Sequence, residues 1–184
     1  MQTPVLIVPG IGNSGHEHWQ SRWQQRHPEF VRLEVDDWDQ PVCADWVAAI
    51  ERSVSVLGPS TVIAAHSLGC LAVAHWAAQT QAAIGGALLV AVPDPHGPNF
   101  PGAARGFAPL PEQPFAFAST IVASDDDPYG SAAHAQRYAQ AWGSSLHRAG
   151  KLGHINSASG LGDWDAGLAL FNALRAGRAP VSAA

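Results

Sequence analysis

Short apolar runs alternate along the chain with longer stretches whose apolar positions recur every three or four residues. The short runs predict six strands, at residues 4–8, 30–35, 61–65, 86–92, 116–123 and 146–148. Several are unbroken apolar runs rather than alternations, the signature of strands covered on both faces. The segment "VCADWVAAIERSVSVLG" sets Val42, Trp46, Ile50, Val54 and Leu57 near helical spacing and ends at a glycine before a proline. Further helices are predicted over 68–78, 131–142 and 163–176. Strand–helix alternation of this kind predicts a mostly parallel sheet with helices on both faces.

One stretch breaks the rhythm. Residues 93–115, "PDPHGPNFPGAARGFAPLPEQPF", hold seven of the fourteen prolines and cannot form a regular helix or a central strand. Their length predicts either a functional loop or a disordered insert. The terminal "RAGRAPVSAA" reads as a frayed tail, so the expected organisation is one domain over 1–177 followed by a flexible 178–184.

With 184 residues, 47% of them apolar, the chain can bury one core but is too short for two full domains. A net charge of −5 without a Lys/Arg cluster argues against a nucleic-acid or anionic-membrane surface. No apolar stretch nears the roughly 20 residues that span a bilayer. "MQTPVLIVPG" has no basic leader region, so no signal peptide and a cytoplasmic location are expected. Cys43 and Cys70 fall in predicted helices without motif spacing and are expected as buried free thiols.

The candidate chemistry begins at "TVIAAHSLGCLAVAHW". Here Ala65-His66-Ser67-Leu68-Gly69 differs from G-x-S-x-G only by alanine at the first glycine. A nucleophilic serine on a parallel sheet needs a sharp strand-to-helix turn that lifts its Oγ above the sheet edge. Small residues are needed two before and two after it; Ala65 adds one methyl group and Gly69 keeps the permissive side chain. The Leu68 N–H, at the start of the next helix, is the expected first oxyanion donor. A second donor is expected from "VPGIGNSGH", with Ile11 or Gly12 as candidates. Read alone, the pentapeptide also fits a serine that merely caps a helix.

Hydrolases of this design run Ser…Asp/Glu…His, each group on a loop at the C-terminal edge of the sheet. Of the histidines beyond the strand-end acids, His134 falls in a predicted helix and His147 in a strand. His154 follows the last strand in the glycine-rich "GKLGHINSASGLGDW". His66 is expected to point away from the serine as a packing residue. "IVASDDDPYG" places Asp125, Asp126 and Asp127 after the fifth strand, where one carboxylate could orient the imidazole. Asp94, after the fourth strand, is a weaker candidate.

Together "VLIVPGIGNSGHEHWQSRW", "AHSLG", "ASDDDPY" and "LGHINSASGLGDW" resemble the bacterial branch of the RBBP9/YdeN family of small serine hydrolases, within the α/β-hydrolase superfamily. The resemblance runs from about residue 5 to 174. It implies Ser67 as nucleophile, His154 as base and, as acid, the aspartate directly before proline, Asp127, with Asp126 the alternative. It also sets His16 at the pocket mouth in preference to a metal site, since His16, Glu17 and His18 lack a closing ligand. Trp38 is the further candidate for the active-site edge.

"GIGNSG" is no dinucleotide fingerprint, because its third glycine is misplaced. No metal and no cofactor are therefore expected. The implied fold is a compact α/β-hydrolase of about six mostly parallel strands without a lid domain, which leaves the site open. The implied activity is carboxylesterase-like hydrolysis of a small acyl substrate through an acyl-enzyme. An interaction module with a vestigial site is the alternative, although the L-x-C-x-E segment reported for retinoblastoma-protein binding in this family is missing from the sequence. Neither reading sets the oligomeric state.

Overall fold

The computed structural model describes residues 3–177. Its strands are β1 (Val5–Val8), β2 (Val31–Arg32), β3 (Val62–His66), β4 (Gly86–Val90), β5 (Ser119–Ala123) and β6 (Ser145–Arg148). Its helices are α1 (Trp19–Arg26), α2 (Cys43–Leu57), α3 (Leu68–Ala77), α4 (Ala132–Trp142) and α5 (Asp165–Arg175). The strands form one six-stranded sheet in the order β2-β1-β3-β4-β5-β6, every pair parallel. This is the expected α/β-hydrolase architecture. The tail expected at 178–184 lies outside the described residues.

Strand alternation sorts the core into two layers. Leu6, Val8, Ile63, Ala65, Leu89 and Ile121 face the layer formed by α2, α3 and α4. Val5, Ile7, Val62, Ala64, Leu88 and Val122 face α1 and α5, through Trp19, Trp23, Leu168 and Phe171. Both faces are covered, which is why these strands read as continuous apolar runs. From β1 the chain winds one way to β2 and the other way to β3. The strand order therefore reverses between β1 and β3, where a crevice opens at the carboxyl ends of the strands.

Two elements differ from the sequence expectation. The run at 30–35 contributes only two residues, Val31 and Arg32, to the sheet edge, while Phe30 and Leu33 beside them fill opposite core layers as strand alternation requires. Helix α1 is not announced by the pattern at all. Its apolar stripe is only Trp19 and Trp23, its buried Gln20 and Ser21 read as surface residues, and its N-cap is His18.

The proline-rich stretch 93–115 is a packed loop. Arg105 bridges to Val42, the Phe107 carbonyl meets His75 Nε2 at 3.1 Å, and the Trp142 indole N–H donates to the Pro111 carbonyl at 2.8 Å. Phe107 and Leu110 are buried in the α2–α4 layer. The loop is fastened along the helices and forms no separate lid domain.

Candidate active site

Ser67 stands at the N-terminus of α3 with φ +53° and ψ −125°, a left-handed conformation rare for a side-chain-bearing residue. The turn is tight enough to dictate its neighbours. A Cβ on Gly69 would lie 2.6 Å from the Val8 carbonyl oxygen, so only glycine lets α3 pass beneath β1. Ala65 lies upstream in β3, fully buried in the core layer. Its methyl group packs like any other side chain of the strand.

His154 Nε2 lies 2.8 Å from Ser67 Oγ. On the other side of the ring, Nδ1 meets both oxygens of Asp127, at 2.9 and 3.0 Å. The side chains of His154 and Asp127 are only 10% and 2% exposed, so this hydrogen-bonded chain is shielded from bulk water. Asp127 Oδ1 also accepts the Tyr129 amide at 2.9 Å, and the Tyr129 ring lies 4.4 Å from the His154 ring. The three side chains named from the sequence thus meet although 87 residues separate Ser67 from His154. Asp125 instead pairs with Arg148.

The loop carrying His154 is held from four directions. Asp126 Oδ1 accepts the Gly153 amide at 2.8 Å, and Ser124 Oγ accepts the Leu152 amide at 2.9 Å. The Trp19 indole N–H donates to the Ile155 carbonyl at 2.9 Å. The His66 ring nitrogen Nε2 reaches the His154 carbonyl at 2.9 Å. His66 is thus more than the packing residue expected; it grips the backbone of its neighbour across the site. No local sequence signal marks this, because the contact spans 88 residues.

Opposite the imidazole lie the α3 N-terminus and the β1 loop. The Leu68 amide is in the first turn of α3, where no intrahelical acceptor exists. Gly10 brings the β1 loop close; a Cβ there would stand 3.0 Å from Ser67 Cβ and 3.4 Å from Oγ. Ile11 borders the same cavity. Gly12, the alternative oxyanion donor, is corrected: its N–H is already donated to the Trp38 carbonyl at 2.8 Å. Buried Gln20 braces this side, donating to the Val8 and Ala64 carbonyls at 3.1 and 3.0 Å and accepting from Ser14 Oγ at 2.6 Å. Its amide thus ties α1 to both β1 and β3.

A cavity of about 490 Å³ opens beside Ser67, a size suited to a small molecule. Ile11, Leu68, Phe100 and Tyr129 give it apolar walls, and Asn156 and Ser157 give it polar ones. Of the long loop only Pro93 and Asn99, Phe100 and Pro101 reach its edge. Two pocket expectations are corrected. The His16 side chain is 84% exposed beside Glu17, outside the cavity, and it is His18 that borders it. Trp38 packs edge-on against Trp46 at 5.3 Å and borders a separate groove with Arg32.

Electrostatics sharpen the picture. Burial, and then the charges of Arg32 and His154, push His18 down to about 4. Burial also carries His66 well below the ordinary histidine value, helped by the charges of His18 and His154. Both rings are therefore neutral near pH 7. Burial raises both thiols, Cys43 to about 12, which leaves them protonated and unreactive. Among the described residues no three His, Cys, Asp or Glu side chains cluster so as to hold a metal ion, and no helix is long and apolar enough to cross a membrane.

Residues 5–173 match the model of a family described as serine hydrolase. Among solved structures, a putative YdeN-like hydrolase from Pectobacterium atrosepticum is 35% identical, with a TM-score of 0.85 over 95% of this chain and 91% of that one. The ydeN gene product of B. subtilis is 22% identical, with a TM-score of 0.81 over 95% of this chain and 100% of that one. A thermophilic esterase from Thermogutta terrifontis shares the fold at 15% identity, with a TM-score of 0.67 over 97% of this chain and 92% of that one. A comparison with curated proteins returned no match.

Proposed function

Because the chain belongs to the serine hydrolase family, in its RBBP9/YdeN branch, we propose that it is a carboxylesterase-like enzyme for small uncharged acyl esters. The observation that carries this reading is the unbroken Asp127–His154–Ser67 hydrogen-bond chain ending at a serine on a strained elbow. Among the described residues no Lys, Arg, Asp or Glu side chain borders the cavity, which supports a neutral substrate. The Pectobacterium and Bacillus proteins favour no particular ester, since acyl transfer of this kind serves many substrates.

In the proposed mechanism His154 Nε2 takes the Ser67 proton as Oγ attacks the acyl carbonyl. Asp127, hydrogen-bonded to Nδ1–H, fixes the tautomer and stabilises the imidazolium. The oxyanion accepts from the Leu68 and Ile11 amides, the former at a helix N-terminus. His154 then gives its proton to the departing alcohol oxygen. Water, deprotonated by the same nitrogen, releases the acyl group from Ser67. The four-way hold on the His154 loop supports such a role, because an imidazole that must exchange protons with two partners needs fixed geometry.

Intact-mass spectrometry after exposure to a fluorophosphonate tests the reading. One phosphonyl adduct is expected on the wild type and none on Ser67→Ala. A folded wild type that takes up no adduct would discard the hydrolase reading and bring forward the interaction module.

A further inference from the structure

We propose that His18 is a specificity-determining residue whose buried Nε2–H donates a hydrogen bond to a neutral oxygen on the alcohol part of the ester substrate. This inference rests on the hydrolase reading above. His18 caps α1, and its Nδ1 accepts the Gln20 amide at 3.2 Å. A neutral imidazole that accepts at one nitrogen carries its proton on the other, so Nε2 is a donor. Among the described residues that buried nitrogen has no hydrogen-bond partner, and His18 as a whole is only 4% exposed. Buried polar groups are ordinarily paired, and an orphan at the wall of a cavity points to a ligand atom as its partner.

Position selects the part of the substrate. The His18 ring lies 4.6 Å from that of His66, which lies 5.0 Å from that of His154. His66 thus stands between the other two rings, which puts His18 within two ring contacts of the imidazole that serves the departing alcohol. The alcohol must leave beside His154, since its Nε2 protonates the departing oxygen. Charge selects the chemistry. A ring held neutral by burial offers no counter-ion to a carboxylate, but it suits an ether, carbonyl or hydroxyl oxygen.

The test pairs 2-methoxyethyl acetate with butyl acetate, which replaces the ether oxygen by a methylene group. kcat/KM for both is measured on the wild type, His18→Asn and His18→Gln, and each ratio is divided by that of hydroxide-catalysed hydrolysis. Asparagine keeps an N-cap acceptor but removes the distal donor, whereas glutamine keeps a distal N–H and weakens the cap. The wild type should prefer the ether ester, and His18→Asn should lose roughly five- to tenfold of that preference, the worth of one neutral hydrogen bond. His18→Gln should retain most of it.

Equal normalised ratios in the wild type and a folded His18→Asn would overturn the inference and leave the N–H resting on the His66 ring. So would a wild type with no preference beyond that of hydroxide, whatever the variants do. If neither ester is cleaved in a Ser67-dependent way, the hydrolase reading falls and takes this inference with it.

Discussion

Asp126 accepts the Gly153 amide at 2.8 Å, one residue before His154, while Asp127 takes the imidazole itself at 2.9 Å. Adjacent carboxylates thus divide the work, one holding the loop and the other the ring. The Ser124 hydroxyl and the Gly153 amide hold the Asp126 carboxyl below its ordinary value, which keeps it a permanent acceptor.

Kinetics on p-nitrophenyl acetate should separate the two. In Asp127→Asn the side-chain amide would donate toward Nδ1 and impose the wrong tautomer, so kcat should fall about 10³- to 10⁴-fold. Asp126→Ala should lose only about tenfold through a loosened loop, with Asp126→Asn close to wild type because its oxygen still accepts both bonds. Equal losses in Asp126→Ala and Asp127→Asn would remove this division of labour.

Alanine at position 65 should not slow the enzyme. Its methyl group fills core space within β3, so Ala65→Gly is expected to cost about 1 kcal/mol, a fall in Tm of about 2–4 °C, with kcat within about twofold. Gly10→Ala should do the reverse. Its new Cβ would press on the Ser67 side chain, lowering kcat by roughly tenfold or more with little change in Tm. Thermal melts run beside the kinetics check both.

Acid should unfold the protein through its buried imidazoles. His18 stays neutral in the fold down to about 4, whereas in the unfolded chain it takes up a proton near 6.5. Between those values the unfolded state binds more protons, so stability rises with pH across the window and is lost as pH falls through it. His66, shifted in the same direction, adds to the slope. For His18 alone the loss by pH 4 is on the order of 3 kcal/mol. Tm measured from pH 7 to 4 should fall more steeply in the wild type than in His18→Asn.

Much of the site was legible because its signals are local. Ser67 lies where an apolar run meets a helix pattern, and His154 lies in a glycine-rich loop after the last strand. Both follow from periodicity and chain order. The choice among three consecutive aspartates was not local, since Asp125, Asp126 and Asp127 share one turn and differ only in where each side chain points. The resemblance to a known family indicated Asp127, and the fold joins it to His154. His16 and His18 presented the same ambiguity; the α1 cap turns His18 inward and leaves His16 beside Glu17 in solvent.

By itself, then, the sequence determined the six apolar runs, the alternation that makes the sheet parallel, and the order in which serine, aspartate and histidine arrive at its edge. These depend on hydrophobic period and turn chemistry, which act within a few residues. Only the tertiary structure decided that Gly12 spends its amide on Trp38, that a polar-looking stretch becomes helix α1, and that Trp19 and His66 clamp the loop of His154. The bonds of Gly12, Trp19 and His66 join residues 26 to 136 positions apart, and they exist only once burial has brought the elements together.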